Sequence, residues 1–170
     1  MEVAQVLTQW QADEESISVL LLEVDATPQD QIAGLSGMEV FEAIFAGQFP
    51  PTPIGATLDF IPIRMAPSIA ILQGRQQRRY YNPLSTVHGG WFATLLDSTV
   101  ACACAVHLPV GQGYTTLEHG APLSDHVPLV CTEGKVILAG SKLATAEARI
   151  FGSDGELYAH VATTYLIFIT

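Results

Sequence analysis

The sequence predicts an α+β fold, in which a mainly antiparallel sheet wraps around one long central helix. The first observation is an apolar stretch from Gly90 to His107, which has the length of a helix and apolar residues around nearly its whole circumference. Such a helix is normally buried. The second observation is that strand-like segments follow one another after this helix, and Asp154-Gly155 joins the last two as a hairpin. One buried helix among consecutive antiparallel strands indicates α+β architecture.

Composition limits the classes of function. The chain has 170 residues, of which 49% are hydrophobic and 14% charged, so we expect a compact core. A net charge of −10 argues against nucleic acid as a partner. The apolar runs are too short to cross a bilayer and lack the features of a secretory signal, so we expect no membrane partner. Three cysteines without a Cys-x-x-Cys pair, and five histidines without a helical pair, predict a cytoplasmic location and no metal site.

Before the central helix, the pattern changes twice. Residues 1–35 are polar, acidic and weakly periodic, which predicts an N-terminal extension with little structure of its own before a domain at 36–170. The segment Ser36–Phe49 predicts a short amphipathic helix with Ser36 as its N-cap and Gly47 as its stop. Two strands are then predicted, near Gly55–Arg64 and Ser68–Gly74.

After Pro109 and Gly111 the pattern returns to strands. Alternating polarity predicts four of them, at Tyr114–Glu118, Leu129–Leu138, Lys142–Phe151 and Glu156–Ile169. A sheet that wraps a single helix leaves its edge strands and the outer flank of the helix open. We therefore expect two copies of the chain to pair.

Asp97 is the first candidate for chemistry, because it places a carboxylate in this apolar helix. Burial of an unpaired carboxylate costs several kcal/mol, so the side chain needs a partner, a proton or a catalytic task. The Gly89-Gly90 pair at the helix start offers N–H groups that can hold a developing negative charge. Asp97 then fits a general base or nucleophile towards an activated acyl group. A satisfied core residue after a tight glycine turn explains the same pattern.

Basic residues cluster upstream of the helix. Arg75, Arg78 and Arg79 fall within five positions of an otherwise acidic chain. They fit either an anion-binding site or a solvated loop. The aromatic residues nearby fit either a ligand pocket or plain core; they are Tyr80, Tyr81, Trp91 and Phe92.

The run from Tyr81 to Ser98 resembles the signature of the PaaI-like acyl-CoA thioesterases, which have the hotdog fold. Three further segments resemble that family in order and spacing: Pro50–Leu58, Gly111–Glu118 and Ala144–Ala162. The resemblance covers roughly residues 36–168 and none of the first 35. It implies hydrolysis of a small or aromatic acyl-CoA thioester.

The resemblance also implies roles for individual residues. Asp97 corresponds to the general base or nucleophile, and the N–H of Gly89 to the group that polarises the thioester carbonyl. Asn82 corresponds to a residue that positions water or the thioester, and His88 to a residue that supports the loop. These three groups, Asn82, Gly89 and Asp97, would come from one chain. A threonine would come from the opposite subunit, with Thr116 as the best match and Thr115 as the next.

For the CoA moiety, the resemblance implies basic residues near the subunit interface, for which Lys142, Arg78 and Arg79 are the candidates. It implies no metal and no organic cofactor, since CoA is part of the substrate. A homodimer is expected, and a tetramer fits the resemblance.

One departure keeps a second function open. The strand that ends at Glu118 is followed directly by His119-Gly120-Ala121-Pro122, whereas members of the family continue it for several residues. A non-catalytic protein that binds acyl-CoA or a small aromatic ligand is therefore the alternative. A hotdog dehydratase fits less well, because His88 directly precedes the glycine pair.

Overall fold

The computed structural model describes residues 3–18, 23–116 and 129–169. Five helices precede or interrupt the strands: α1 (Val3–Ser18), α2 (Gln29–Ile32), α3 (Gly37–Phe45), α4 (Pro53–Leu58) and α5 (Gly89–Ala105). The strands are β1 (Phe60–Ala66), β2 (Ile69–Gly74), β3 (Gln112–Thr116), β4 (Val130–Ala139), β5 (Leu143–Gly152) and β6 (Leu157–Ile169). A short 3₁₀ helix, Arg78–Tyr80, lies between β2 and α5.

Within the described residues, the six strands form one antiparallel sheet in the order β1-β2-β4-β5-β6-β3. The Asp154-Gly155 hairpin connects β5 to β6, and Gly155 has a φ of +83°, which favours glycine. β3 forms one edge of the sheet, beside β6. The predicted antiparallel sheet is confirmed, although Leu117 and Glu118 of the predicted third strand, and the shortening after them, lie outside the described residues.

Helix α5 packs on one face of this sheet and builds the core. Alternate residues of β5 face it, and Ala144, Ala146, Ala148 and Ile150 are almost fully buried. Their small size lets the helix approach closely. At Gly134 on β4 a Cβ would lie 2.8 Å from the carbonyl oxygen of Thr99, so only glycine fits there. The central helix is therefore confirmed, with bounds within two residues of the prediction.

The structure corrects the prediction for Gly55–Arg64. Residues Pro53–Leu58 form helix α4, and the strand begins only at Phe60. Pro53 occupies the first turn of the helix, where its missing N–H costs nothing. Asp59 ends the helix in the left-handed conformation, with φ of 54°. The other early strand and the helix after Ser36 are confirmed, and Ser36 and Glu39 form a reciprocal capping box.

The N-terminal segment is more ordered than predicted. Its 16-residue helix α1 lies against the outer face of the sheet, away from α5, where it bounds a cavity of about 320 Å³. The apolar lining comes from Val6 and Trp10 of the helix and from Ile71 and Phe151 of the sheet. This amphipathic contact was missed because the polar residues of α1 obscure its short apolar stripe. The division of the chain at residue 35 stays a prediction.

Candidate functional site

The loop before α5 is closed by Asn82. Its Oδ1 accepts hydrogen bonds from the N–H groups of Leu84 (2.8 Å) and Thr86 (3.3 Å), and its Nδ2 donates to Thr86 Oγ1 (2.7 Å). Tyr81 and Val87 form a β-bridge across the base of the loop. The Asn82 amide is thus engaged within its own loop, where it fixes the path of the chain into α5.

His88 caps the first turn of α5. Its Nδ1 accepts a hydrogen bond from the N–H of Gly90 at 2.8 Å. A ring nitrogen that accepts in this way carries no proton, so the geometry assigns the neutral tautomer with hydrogen on Nε2. This contact gives His88 a supporting role in the turn.

The N–H of Gly89 is left open by this arrangement. It belongs to the first residue of α5 and has no hydrogen-bond partner within the described part of the chain. The first N–H groups of a helix point away from its body, and the helix dipole adds partial positive charge there. An acceptor with developing negative charge would find a preorganised donor at this point.

Asp97 lies on the one flank of α5 that the sheet does not cover, where it is half-buried. The same flank carries Thr94, Ser98 and Ala101, which are also partly exposed. The outer flank of the helix is therefore open, as expected for a sheet that wraps a single helix, although apolar residues surround nearly its whole circumference. The reason is that small residues recur at three- and four-residue spacing, and their apolar character does not require burial.

A thiol lies near this carboxylate. The pKa of Cys102 is raised to about 12, first by burial and then by the charge of Asp97. Because the thiolate is the nucleophilic form of cysteine, Cys102 stays unreactive at neutral pH. Of these two groups, Asp97 is the one suited to attack or to proton transfer.

Sequence reasoning missed a polar and aromatic frame beneath the turn. Tyr80 stacks on Trp91, with ring centroids 6.0 Å apart, and Trp91 Nε1 donates to the carbonyl of Leu58 at 2.8 Å. Trp91 and Phe92 are each 3% exposed, which places both in the core and not in a ligand pocket. These contacts join segments that are far apart along the chain, so local sequence patterns carry no signal for them.

The structure separates the predicted cations. Arg75 forms a two-point ion pair with Glu14 of α1, at 2.8 and 2.5 Å. Arg79 binds Asp59 at 2.6 Å. Arg78 is exposed and has no ion-pair partner within the described ranges.

Lys142 lies far from these arginines in a single protomer. It directly precedes β5. At the other end of β5, Gly152 pairs with Val130 of β4. Val130 in turn pairs with Gly74, the last residue of β2, which directly precedes Arg75. A ten-residue strand is about 30 Å long at the usual rise per residue. Lys142 and the arginine cluster therefore occupy opposite ends of the sheet.

Thr116 is placed at the edge of the sheet. It pairs with Tyr165 of β6 at the end of the described part of β3. An edge strand presents N–H and C=O groups that can pair with another chain.

In the described part of the chain, no three His, Cys, Asp or Glu side chains come together as a group that could hold a metal ion. None of the helices described is both long and apolar enough to cross a membrane.

Comparison with known proteins supports the fold and matches part of the chain to a family model. Residues 84–159 match the model of the thioesterase superfamily. This range includes His88, Gly89, Asp97, Thr116 and Lys142, whereas Asn82 and the arginines lie just before it. None of the curated proteins matches the chain.

Solved structures share the arrangement of sheet and helix. A thioesterase family protein from Silicibacter pomeroyi is 22% identical, with a TM-score of 0.64 over 69% of this chain and 90% of that one. A putative thioesterase from Ralstonia eutropha JMP134, described as related to phenylacetic acid degradation, is 18% identical, with a TM-score of 0.68 over 74% and 98%. The PaaI protein of E. coli is 16% identical, with a TM-score of 0.61 over 68% and 83%. The predicted hotdog fold is confirmed.

Proposed function

We propose that the chain is a hotdog-fold thioesterase and that it hydrolyses a small or aromatic acyl-CoA thioester. The observation that carries the proposal is the N–H of Gly89 at the start of α5, which has no partner among the described residues, with a carboxylate further along the same helix. We further propose that the reaction needs neither a metal nor an organic cofactor. A cytoplasmic location fits CoA as part of the substrate.

The chemistry divides between these two groups. The Gly89 N–H binds the thioester oxygen and stabilises its negative charge as water adds to the carbonyl carbon. Asp97 accepts the proton of that water and returns it to the CoA sulfur as the C–S bond breaks. In the alternative path the Asp97 carboxylate attacks the carbonyl carbon itself, and the C–S bond breaks as CoA leaves as a thiolate that takes a proton from water. Water then hydrolyses the mixed anhydride, which releases the acid and restores Asp97. Base catalysis contributes ~10²–10⁴ in rate and an oxyanion donor ~10²–10³.

One protomer cannot bring both groups to the same carbonyl. Asp97 lies eight positions after Gly89, which corresponds to about 12 Å along the helix axis. The Gly89 N–H also points away from the helix body, which increases the separation. We therefore propose that Gly89 of one protomer acts with Asp97 of the partner subunit. This arrangement differs from the one-chain grouping inferred from the sequence.

A two-fold pair accounts for the remaining candidates. If the β3 edges of two protomers lie side by side, the helix start of one protomer approaches the middle of the helix of the other. Thr116 then lies at the shared boundary. The same rotation brings opposite ends of the two sheets together, so Arg78 of one protomer and Lys142 of the partner subunit can both bind CoA phosphates. A tetramer would join two such pairs.

Substitution of Gly89 by Pro tests the oxyanion donor. Proline removes the N–H and is well tolerated at the first position of a helix. The residue before it, His88, already has φ of −67° and ψ of 135°, which suits a residue that precedes proline. We expect Gly89→Pro to lower kcat by ~10²–10³. Gly89→Ala, which keeps the N–H, is the matched control and should retain most activity.

The assay is release of free thiol from a panel of acyl-CoA substrates. Thiol release from none of them by the wild-type protein, together with tight acyl-CoA binding, would replace hydrolysis by the non-catalytic alternative. Activity of Gly89→Pro equal to that of Gly89→Ala would refute the oxyanion role. Full activity after treatment with a chelator is expected.

Mixed oligomers test the shared site. Gly89→Pro and Asp97→Asn homodimers should each be nearly inactive, and exchange of their subunits should restore activity. In the mixed pair, one site combines an intact Gly89 from one chain with an intact Asp97 from the other. If both groups acted from the same chain, every site would stay defective and mixing would restore nothing.

A further inference from the structure

The direction of the Gly89 N–H depends on two hydrogen bonds of its neighbour. The His88 N–H donates to the carbonyl of Tyr80 at 2.8 Å, and the His88 carbonyl accepts from the N–H of Trp91 at 2.9 Å. The peptide group that carries the Gly89 N–H includes that His88 carbonyl, so its orientation follows these two contacts. Tyr80 is the residue outside the helix that holds the turn.

Tyr80 is itself fixed on the end of α4. Its hydroxyl lies 2.9 Å from the carbonyl of Thr57 and 2.8 Å from Asp59 Oδ2, which are the two acceptors available to its one hydrogen. The last carbonyls of a helix lack partners within the helix. Here Trp91 Nε1 donates to the carbonyl of Leu58, and the N–H of Arg75 donates to the carbonyl of Asp59 at 2.8 Å. The end of α4 is thus a platform of acceptors for the segment that leads into α5.

Arg79 closes this arrangement. Its Nη2 lies 2.6 Å from Asp59 Oδ2, and its Nε donates to the Tyr80 hydroxyl at 2.9 Å. The guanidinium carbon also lies 5.0 Å from the centre of the Tyr80 ring. One planar cation therefore holds both the carboxylate and the phenol in fixed positions.

We propose that Asp59, Arg79 and Tyr80 form a clamp that positions the Gly89 N–H, so that Arg79 is a positioning residue and does not bind CoA. The kinetic consequence rests on the proposed thioesterase function, whereas the clamp itself is a property of the folded chain. The adjacent cation, Arg78, lacks such partners in the described part of the chain and keeps its role as a candidate for CoA binding.

The protonation of the clamp suits this role. The pKa of Tyr80 is raised by burial and by its contact with Asp59. Its phenol therefore keeps the hydrogen that it donates. The pKa of Arg79 is raised by its hydrogen bonds to Tyr80 and Asp59, so its charge stays in place. Neither contact is expected to titrate near neutral pH.

Steady-state kinetics separate positioning from substrate binding. Arg79→Gln and Tyr80→Phe should each lower kcat by about tenfold and leave KM for the acyl-CoA unchanged, as expected for loss of an interaction that orients the transition state. Arg78→Gln should raise KM with little change in kcat. Arg64→Gln removes the same charge from an exposed position on β1 and should change neither constant. A raised KM with unchanged kcat in Arg79→Gln would overturn the proposal.

Amide hydrogen exchange tests the clamp without reference to activity. The His88 amide, which binds the Tyr80 carbonyl, should exchange about tenfold faster in Tyr80→Phe and Arg79→Gln, and at the wild-type rate in Arg64→Gln. Tyr80→Phe removes a single oxygen and serves if Arg79→Gln does not fold. Wild-type exchange of His88 in a folded Tyr80→Phe protein would refute the clamp. If the wild-type protein hydrolyses no acyl-CoA, the proposed function fails, and the exchange rates still decide the clamp.

Discussion

The two sides of α5 differ in how closely their side chains are packed. On the side that faces the sheet, the side chains are packed in the core, and even the polar Thr99 has a partner. Its Oγ1 lies 2.7 Å from Thr132 Oγ1. Thr132 Oγ1 donates a hydrogen bond to the carbonyl of Leu72 at 3.0 Å. On the other side, small residues surround a half-buried Asp97. One side of the helix specifies the fold, and the other offers a surface on which chemistry can occur.

This difference explains why a carboxylate that we propose to be catalytic can lie on a core helix. A carboxylate on the sheet-facing side would have to lose its water without a charged partner, which costs several kcal/mol. On the open side it keeps access to solvent and, in the proposed dimer, to a second protomer. The comparison predicts that changes on the open side affect turnover, whereas changes on the sheet side affect stability.

Asp97→Asn tests the open side and should have the largest effect. The amide keeps the size of the carboxylate but cannot accept a proton from water, so kcat should fall by ~10²–10⁴. Thermal unfolding should change little, because the side chain is half-exposed and the replacement is isosteric. Turnover like that of the wild type would remove Asp97 from the mechanism. A large loss of stability would show that the open side is part of the core.

Leu95→Ala tests the sheet side. Leu95 is fully buried, and its Cδ2 lies against Gly74 of β2. Truncation should lower the free energy of unfolding by about 2–5 kcal/mol, measured by chemical denaturation. Ser98→Ala, on the open side, should change it by less than about 0.5 kcal/mol. Equal losses of stability in the two variants would contradict the distinction between the sides.

The sequence predicted the parts of the molecule that depend on local pattern. The long helix, the strands β2, β4, β5 and β6 and the N-cap at Ser36 follow from periodicity and short-range hydrogen bonds. Helix α4 was missed because Pro53-Ile54-Gly55 has weak helix propensity, and its stability comes from contacts with Tyr80 and Trp91. Helix α1 was missed because its polar residues obscure its short apolar stripe, and its ion pair between Glu14 and Arg75 joins segments that are far apart in sequence.

The candidate site shows the same limit. The order of Asn82, His88, Gly89 and Asp97 along the chain was sufficient to identify candidates. It could not reveal that Arg79 is paired with Asp59, because that contact spans twenty positions and depends on the left-handed turn at Asp59. Nor could it reveal which side of α5 is open, because Ala and Cys suit either environment.

The smallest expected effect is on the reactivity of the cysteine thiols of α5, because Asp97 on the open side influences the pKa of Cys102. The pKa of Cys102 is raised to about 12 by burial and by Asp97, and that of Cys104 to about 11 by burial alone. Both thiols should therefore resist alkylation at pH 8 and react only as the pH rises towards these values, because the reactive thiolate forms there. Asp97→Asn removes one cause at Cys102 and none at Cys104. We expect alkylation of Cys102, followed by mass spectrometry at pH 9, to become faster in this variant by less than about tenfold, since a tenfold change corresponds to a full pKa unit. Cys104 provides the internal control, and equal acceleration at both thiols would indicate that the substitution had loosened the helix as a whole.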